Sequence, residues 1–233
     1  MILLTNGCSW TWGGCLDVVG PDIDAKRKLL VWPHHLGQII GADSVVNLSL
    51  GCGSNQRVVR TTYEWILAQD PQTLKDVVAV IQWTEPSRYE YYQPIDVTTW
   101  TENIPENWAM CKANVCLQNS EPEKYALARN QKRLETWTLQ EGQYQHLIEC
   151  EALAGLFARF GIKFFYWSFV NDIRYQQIAI RDYHLSNFPW IDDPLQDHGY
   201  WKYDRISEVD AHPSVTGHEQ LADIIHSQIK DKV

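Results

Sequence analysis

Three short segments carry the residue types that acyl-group chemistry uses. The first is Gly7-Cys8-Ser9-Trp10-Thr11-Trp12-Gly13, the second is residues 47–55 (NLSLGCGSN), and the third is Asp210-Ala211-His212-Pro213. A serine hydroxyl is a weak nucleophile until a base takes its proton, and histidine is the usual base. The base needs a partner on its other ring nitrogen to fix its tautomer. Ser9, His212 and Asp210 supply one residue of each kind, and Asp210 stands two before His212 in a turn closed by Pro213. At that spacing either the carboxylate or the local backbone can orient the ring. Gly51 and Gly53 allow the backbone to approach a substrate and to present an N–H to an oxyanion.

These segments act together only if the chain brings them to one place. Residues 2–5 form a short apolar run that stops at Asn6-Gly7, which predicts a buried strand and a sharp turn. Residues 44–50 predict a second strand, 76–83 (DVVAVIQW) a third and 163–169 (KFFYWSF) a fourth. The unbroken apolar character of the third implies burial on both faces, as in a parallel sheet. Helical spacing covers residues 55–69 after Ser54 or Asn55 as cap, and residues 137–160 before a stop at Gly161. A last amphipathic helix runs from His218 with Leu221, Ile224, Ile225 and Ile229 inward and a capping box of Thr216 and Glu219. Strands alternating with helices imply an α/β fold with a mostly parallel sheet. The three segments then lie at its carboxyl rim, where such folds bind ligands. The chain reads as one domain, 1–233, with long loop insertions at about 86–135 and 171–210.

GCSWTWG resembles the first block of the SGNH/GDSL hydrolases, G-D-S-x-T/S-x-G, with Cys8 in place of the aspartate. It is not the GxSxG elbow of α/β-hydrolases, because position 11 is Thr. DAHPSVTGHEQLA resembles the last block of the same superfamily, which supplies the histidine and its acidic partner. The resemblance implies a flavodoxin-like three-layer α/β/α sandwich of about five strands. It assigns Ser9 as nucleophile and first oxyanion N–H, His212 as base and Asp210 as its orienter. Three positions depart from the family pattern. The family's aspartate lies three before the histidine, where this chain has Val209, with Glu208 as another acidic neighbour. The second-block glycine is Gly51 or, preferably, Gly53. Thr84 stands where the third block has its oxyanion Asn, and Asn55 is the other candidate for that role.

Composition narrows the field. Net charge is −9, from 29 acidic and 20 basic side chains, and no Lys/Arg run occurs, which argues against nucleic acid as a partner. No signal peptide or apolar stretch of membrane-spanning length is evident, so a cytoplasmic protein with no membrane partner is expected. Six cysteines without a CxxC pair or zinc-like spacing predict free, buried thiols, no metal and no cofactor. Strand parity points Cys8 inward as a small buried hydrophobe. His34-His35 reads as capping or packing, and His218 as structural.

The chain has 11 Trp, 11 Tyr and 6 Phe, and many of these rings fall near the expected rim. Trp10, Trp12, Trp83 and Arg88 are the candidate substrate-binding residues, with Tyr89, Tyr91, Tyr92 and Trp100 nearby. The expected function is hydrolysis of a small acyl ester such as acetyl, on a small molecule or carbohydrate, through an acyl-enzyme. Acyl transfer would use the same residues. A binding module that keeps the fold and holds a glycan or protein with its aromatic rim is the alternative.

Overall fold

The computed structural model describes residues 1–16, 22–92, 108–111, 138–168, 186–191, 196–197 and 200–233. Its strands are β1 (Ile2–Asn6), β2 (Ser44–Asn47), β3 (Val77–Trp83), β4 (Tyr89–Tyr92), β5 (Trp108–Cys111), β6 (Lys163–Ser168), β7 (Gln196–Asp197) and β8 (Tyr200–Trp201). Its helices are α1 (Ser9–Trp12), α2 (Ile23–Lys28), α3 (Trp32–Ile39), α4 (Asn55–Leu67), α5 (Pro71–Leu74), α6 (Leu139–Phe160) and α7 (Val215–Ile229). Four strands form a parallel sheet in the order β2-β1-β3-β6. A fifth position is begun beyond β6, where Tyr166 bridges Trp190 in parallel. There the Ile191 N–H donates to the Tyr166 carbonyl at 2.7 Å.

The sheet divides the core by strand parity, because successive side chains point to opposite faces. Leu3, Val78, Val80 and Trp167 meet Trp32 and Leu36 of α3 and Leu221 and Ile225 of α7. Leu4, Ala79, Ile81 and Trp83 meet Val58 and Ile66 of α4 and Cys150 and Phe157 of α6. All seven residues of β3 are buried, as its apolar run requires. The result is an α/β sandwich with helices on both sides of a mostly parallel sheet. Truncating a side chain as enclosed as Leu4 or Ile81 would cost about 2–5 kcal/mol.

Two helix starts bear on the site. The Ser54 hydroxyl accepts the Arg57 N–H at 3.1 Å and opens α4 directly after the second glycine turn. The expected capping box of Thr216 and Glu219 does not form. The chain turns helical three residues before His218, and Ser214 caps α7 by accepting the Gly217 N–H at 3.1 Å. Pro213 favours an extended approach and sets this earlier start. The expected insertions fall largely outside the described residues; within the first, β4 and β5 pair antiparallel. Among the described residues no helix is long and apolar enough to cross a membrane.

Candidate active site

Ser9 sits at the end of the central strand β1, in a turn held from three sides. Asn6 accepts the Gly7 N–H at 2.8 Å on Oδ1, and its Nδ2 donates to Val58 O and to the Thr61 and Thr62 hydroxyls of α4 at 2.9–3.1 Å. Gln82, buried near the end of β3, accepts the Cys8 N–H at 3.0 Å and the Thr11 hydroxyl at 2.9 Å on one oxygen. Asn47, the last residue of β2, donates to the Thr11 carbonyl at 3.1 Å. The carbonyl of Cys8 accepts the N–H groups of Thr11 and Trp12, so one helical turn begins at Ser9. Gly13 ends it in the left-handed region (φ 86), which a glycine adopts without strain. Gly14 is required for space, since a Cβ there would lie 2.7 Å from Ser9 Cβ.

The segment before α7 carries His212 to this turn. The Ser9 hydroxyl donates to His212 Nε2 at 2.8 Å, with the ring proton on Nδ1 facing Asp210. Asp210 Oδ1 lies 2.6 Å from His212 Nδ1 and also accepts the His212 backbone N–H at 2.9 Å. One oxygen thus serves ring and backbone together, which lines up Asp210, His212 and Ser9 at a two-residue Asp–His spacing. Val209 is 97% exposed and Glu208 is exposed, so neither competes for the ring. The backbone N–H of His212 is the main reason the Asp210 carboxyl is held below the usual carboxylate range. Burial opposes this, and hydrogen bonds from the His212 ring and Cys15 add to it. The loop is braced by Tyr203, whose hydroxyl donates to the Ala211 carbonyl at 2.7 Å. His212 and Asp210 keep side-chain exposures of 24% and 31%, so the site opens to solvent.

The expected oxyanion donors are arranged differently. The Ser9 N–H, at the first helical position, has no acceptor among the described residues and is available. The Gly53 N–H is taken by the Leu50 carbonyl at 3.0 Å, because the glycine turn closes on itself. Gly53 instead gives clearance, for a Cβ there would meet Gly7 O at 3.1 Å. Asn55 is buried with its amide engaged: Oδ1 accepts the Thr84 N–H at 2.7 Å, while Nδ2 contacts Thr84 O and His146 Nδ1. The Thr84 hydroxyl is enclosed and has no partner among the described residues. Asn55 and Thr84 therefore clasp each other rather than facing the crevice.

Two of the three candidate substrate-binding rings prove to be core. Trp10 is 5% exposed and packs between Tyr203 and the His212 ring, with centroids 5.8 and 5.6 Å away. Trp83 is fully buried against His146 and Tyr166, because its parity on β3 turns it toward α6. Arg88 is buried and bonded to Glu85 at 3.2 Å instead of presenting a free cation to the crevice. Trp12 alone of these stays half-exposed, over Gly51 and beneath the Arg27 guanidinium at 3.9 Å. Tyr89 is buried, while Trp100 and the side chains of Tyr91 and Tyr92 fall outside the described residues.

Sequence reasoning missed Gln82, Asn47, Gly14 and Cys15. A glutamine inside an otherwise apolar strand was the available signal for the first. Cys8 and Cys150 are free and buried as expected, but Cys15 and Cys52 are free and exposed. Both exposed residues adopt positive φ, 65 and 60, which turns the chain outward there. Cys15 Sγ lies 3.8 Å from His212 Nδ1, and a ligand atom from each of Cys15, Asp210 and His212 lies within 4.8 Å of the others.

Known proteins resemble this chain in two ways. The model of a family of unknown function, DUF6071, matches residues 17–176, a span that leaves Ser9, Asp210 and His212 outside it. A protein from Desulfitobacterium hafniense DCB-2 placed in the lipolytic G-D-S-L family is 13% identical, with a TM-score of 0.55 over 97% of this chain and 98% of that one. TesA is 12% identical, with a TM-score of 0.55 over the whole of both chains. At these identities the likeness is one of fold. No curated protein matches the chain.

Proposed function

We propose that this chain, which belongs to the family of unknown function DUF6071, is a serine hydrolase that cleaves a carboxylic ester. The observation that carries the reading is the continuous chain from Ser9 Oγ to His212 Nε2 at 2.8 Å and from His212 Nδ1 to Asp210 at 2.6 Å. The likeness in fold to proteins of the G-D-S-L family supports it. Ser9 attacks the ester carbonyl while His212 Nε2 takes its proton. The Asp210 carboxylate remains ionised and stabilises the imidazolium. The developing oxyanion is met by the Ser9 N–H. His212 then protonates the leaving alcohol, and the acyl-enzyme is hydrolysed by a water that His212 deprotonates.

The substrate in this reading is a small acyl ester, such as an acetyl group on a carbohydrate. Support for the carbohydrate is narrower than the aromatic count implied, resting on Trp12 at the rim. Hydrolysis of p-nitrophenyl acetate by the wild type and Ser9→Ala tests the reaction; equal rates would remove Ser9 from it. One observation favours a weakly active or non-catalytic binding module instead. The Gly53 N–H and the Asn55 amide are already engaged, and losing one oxyanion donor typically costs about 10²–10³ in rate.

A further inference from the structure

Cys15 follows the nucleophile by six residues and has no part in the reaction above. Its thiol is exposed, at a backbone φ of 65, and lies 3.8 Å from His212 Nδ1. Partial desolvation of the sulfur and a hydrogen bond to Asp210 push this thiol up from its usual range. It is therefore not poised as a second nucleophile, since the thiolate is the reactive form. What the three residues share is donor chemistry: one sulfur, one imidazole nitrogen and one carboxylate, all within 4.8 Å.

We propose that Cys15, His212 and Asp210 form a binding site for a thiophilic divalent cation of the zinc class, and that occupancy switches the hydrolase off. The inhibitory half rests on the catalytic reading above; the binding half does not. Zinc–sulfur and zinc–imidazole bonds of about 2.3 and 2.05 Å at a tetrahedral angle put the two ligand atoms roughly 3.5 Å apart. The observed 3.8 Å from Cys15 Sγ to His212 Nδ1 needs little adjustment. The carboxylate must retreat from the ring, because a shared metal separates nitrogen and oxygen by roughly 3.4 Å against the present 2.6 Å. Asp210 is partly exposed, which leaves it room to do so. Cys15 is exposed and the other two residues are partly so, which lets water supply a fourth ligand.

Binding balances as an exchange of protons for metal. The Cys15 thiol proton leaves to solvent. The ring proton moves from Nδ1, now a metal ligand, to Nε2. That nitrogen then carries a hydrogen toward Ser9 Oγ and can no longer accept one. Asp210 is drawn to the metal at the same time. One ion thus removes the base and its orienter together, while Ser9 is not a ligand.

The test is titration of the full chain, kept reduced, with Co²⁺ as a spectroscopic stand-in, followed by Zn²⁺. One Co²⁺ per chain should bind and show the near-ultraviolet thiolate-to-cobalt band, and Zn²⁺ should displace it. Ser9→Ala should bind equally well. Cys15→Ser should lose the band and weaken zinc binding by at least about tenfold, whereas Cys52→Ser should keep both. No band in the wild type, a band that survives in Cys15→Ser, or one lost in Cys52→Ser instead would overturn the site. On p-nitrophenyl acetate, Zn²⁺ should inhibit the wild type and a chelator should restore it, with the midpoint at least about tenfold higher in Cys15→Ser. Full activity at a zinc level that saturates the band would overturn the switch. A chain inert on esters that shows the Cys15-dependent band upholds the site and fails the catalytic reading alone.

Discussion

Gln82 holds the Ser9 turn through a single atom: its Oε1 accepts both the Cys8 N–H at 3.0 Å and the Thr11 hydroxyl at 2.9 Å. Its Nε2 is used as well, on the Trp83 carbonyl at 3.1 Å and on Cys8 Sγ. The oxygen also closes the space beside Gly7, where a Cβ would meet it at 2.5 Å. Gln82→Leu keeps the volume and leaves the Cys8 N–H and Thr11 hydroxyl buried without a partner. That should destabilise the fold by about 1–3 kcal/mol in urea denaturation. It should lower kcat on p-nitrophenyl acetate more than it raises KM, because it disturbs where Ser9 stands rather than where substrate binds.

Asp210 reaches the ring from two residues away, while Glu208, the alternative acidic partner, and Val209, at the family's aspartate position, are exposed. Asp210→Asn preserves shape but favours the wrong tautomer of His212, so esterase activity should fall on the order of 10³–10⁴. Glu208→Ala should leave it within about twofold. A small loss in Asp210→Asn with a large one in Glu208→Ala would mean that the catalytic state uses a different register of this loop.

How far these relations were legible in the sequence depends on their range. The strand that ends at Asn6, just before Ser9, and the seven buried residues of β3 stand out because a parallel sheet buries both faces and leaves apolar runs. Ser9, His212 and Asp210 stand out because each occupies a turn next to a regular element. Trp10 and Trp12 could not be separated, because α1 is one turn long and shows no period. Trp10 is buried by Tyr203 and His212, which lie near the other end of the chain. The engagement of the Gly53 N–H and the Asn55 amide was equally hidden, since a residue type does not reveal which local acceptor or donor claims it. Cys15 escaped notice because its place depends on the positive φ it adopts after Gly13-Gly14.

Gly14 leaves the space in which Ser9 and His212 meet. A Cβ at Gly14 would lie 2.7 Å from Ser9 Cβ and 3.5 Å from His212 Cδ2. Gly14→Ala should cost about 1–3 kcal/mol and lower kcat by at least about tenfold as Ser9 or His212 yields. Gly155→Ala is the matching control. It lies within α6 with open space around a new Cβ, so it should stabilise the chain by about 0.5–1 kcal/mol and leave kcat alone.

His218 gives the fold a pH dependence separate from that of the reaction. It is fully buried in the first turn of α7, where its Nδ1 accepts the Trp32 N–H at 3.2 Å and so joins α7 to α3. Burial is the main cause that lowers its pKa to about 3, with His35 and His212 adding to it. In the unfolded chain the same ring titrates at about 6.5. Below that pH the unfolded state binds a proton that the folded state refuses, so stability rises with pH. The contribution is complete above about 6.5 and is lost as pH falls from there toward the folded value, at about 1.4 kcal/mol per unit once the unfolded ring is charged. His218→Gln retains an acceptor for Trp32 and cannot titrate. Urea unfolding at pH 7.5 and 5.0 should show the wild type losing about 1–2 kcal/mol more than His218→Gln over that interval. Parallel losses in the two proteins would mean that His218 takes up its proton in the folded state as readily as in the unfolded one.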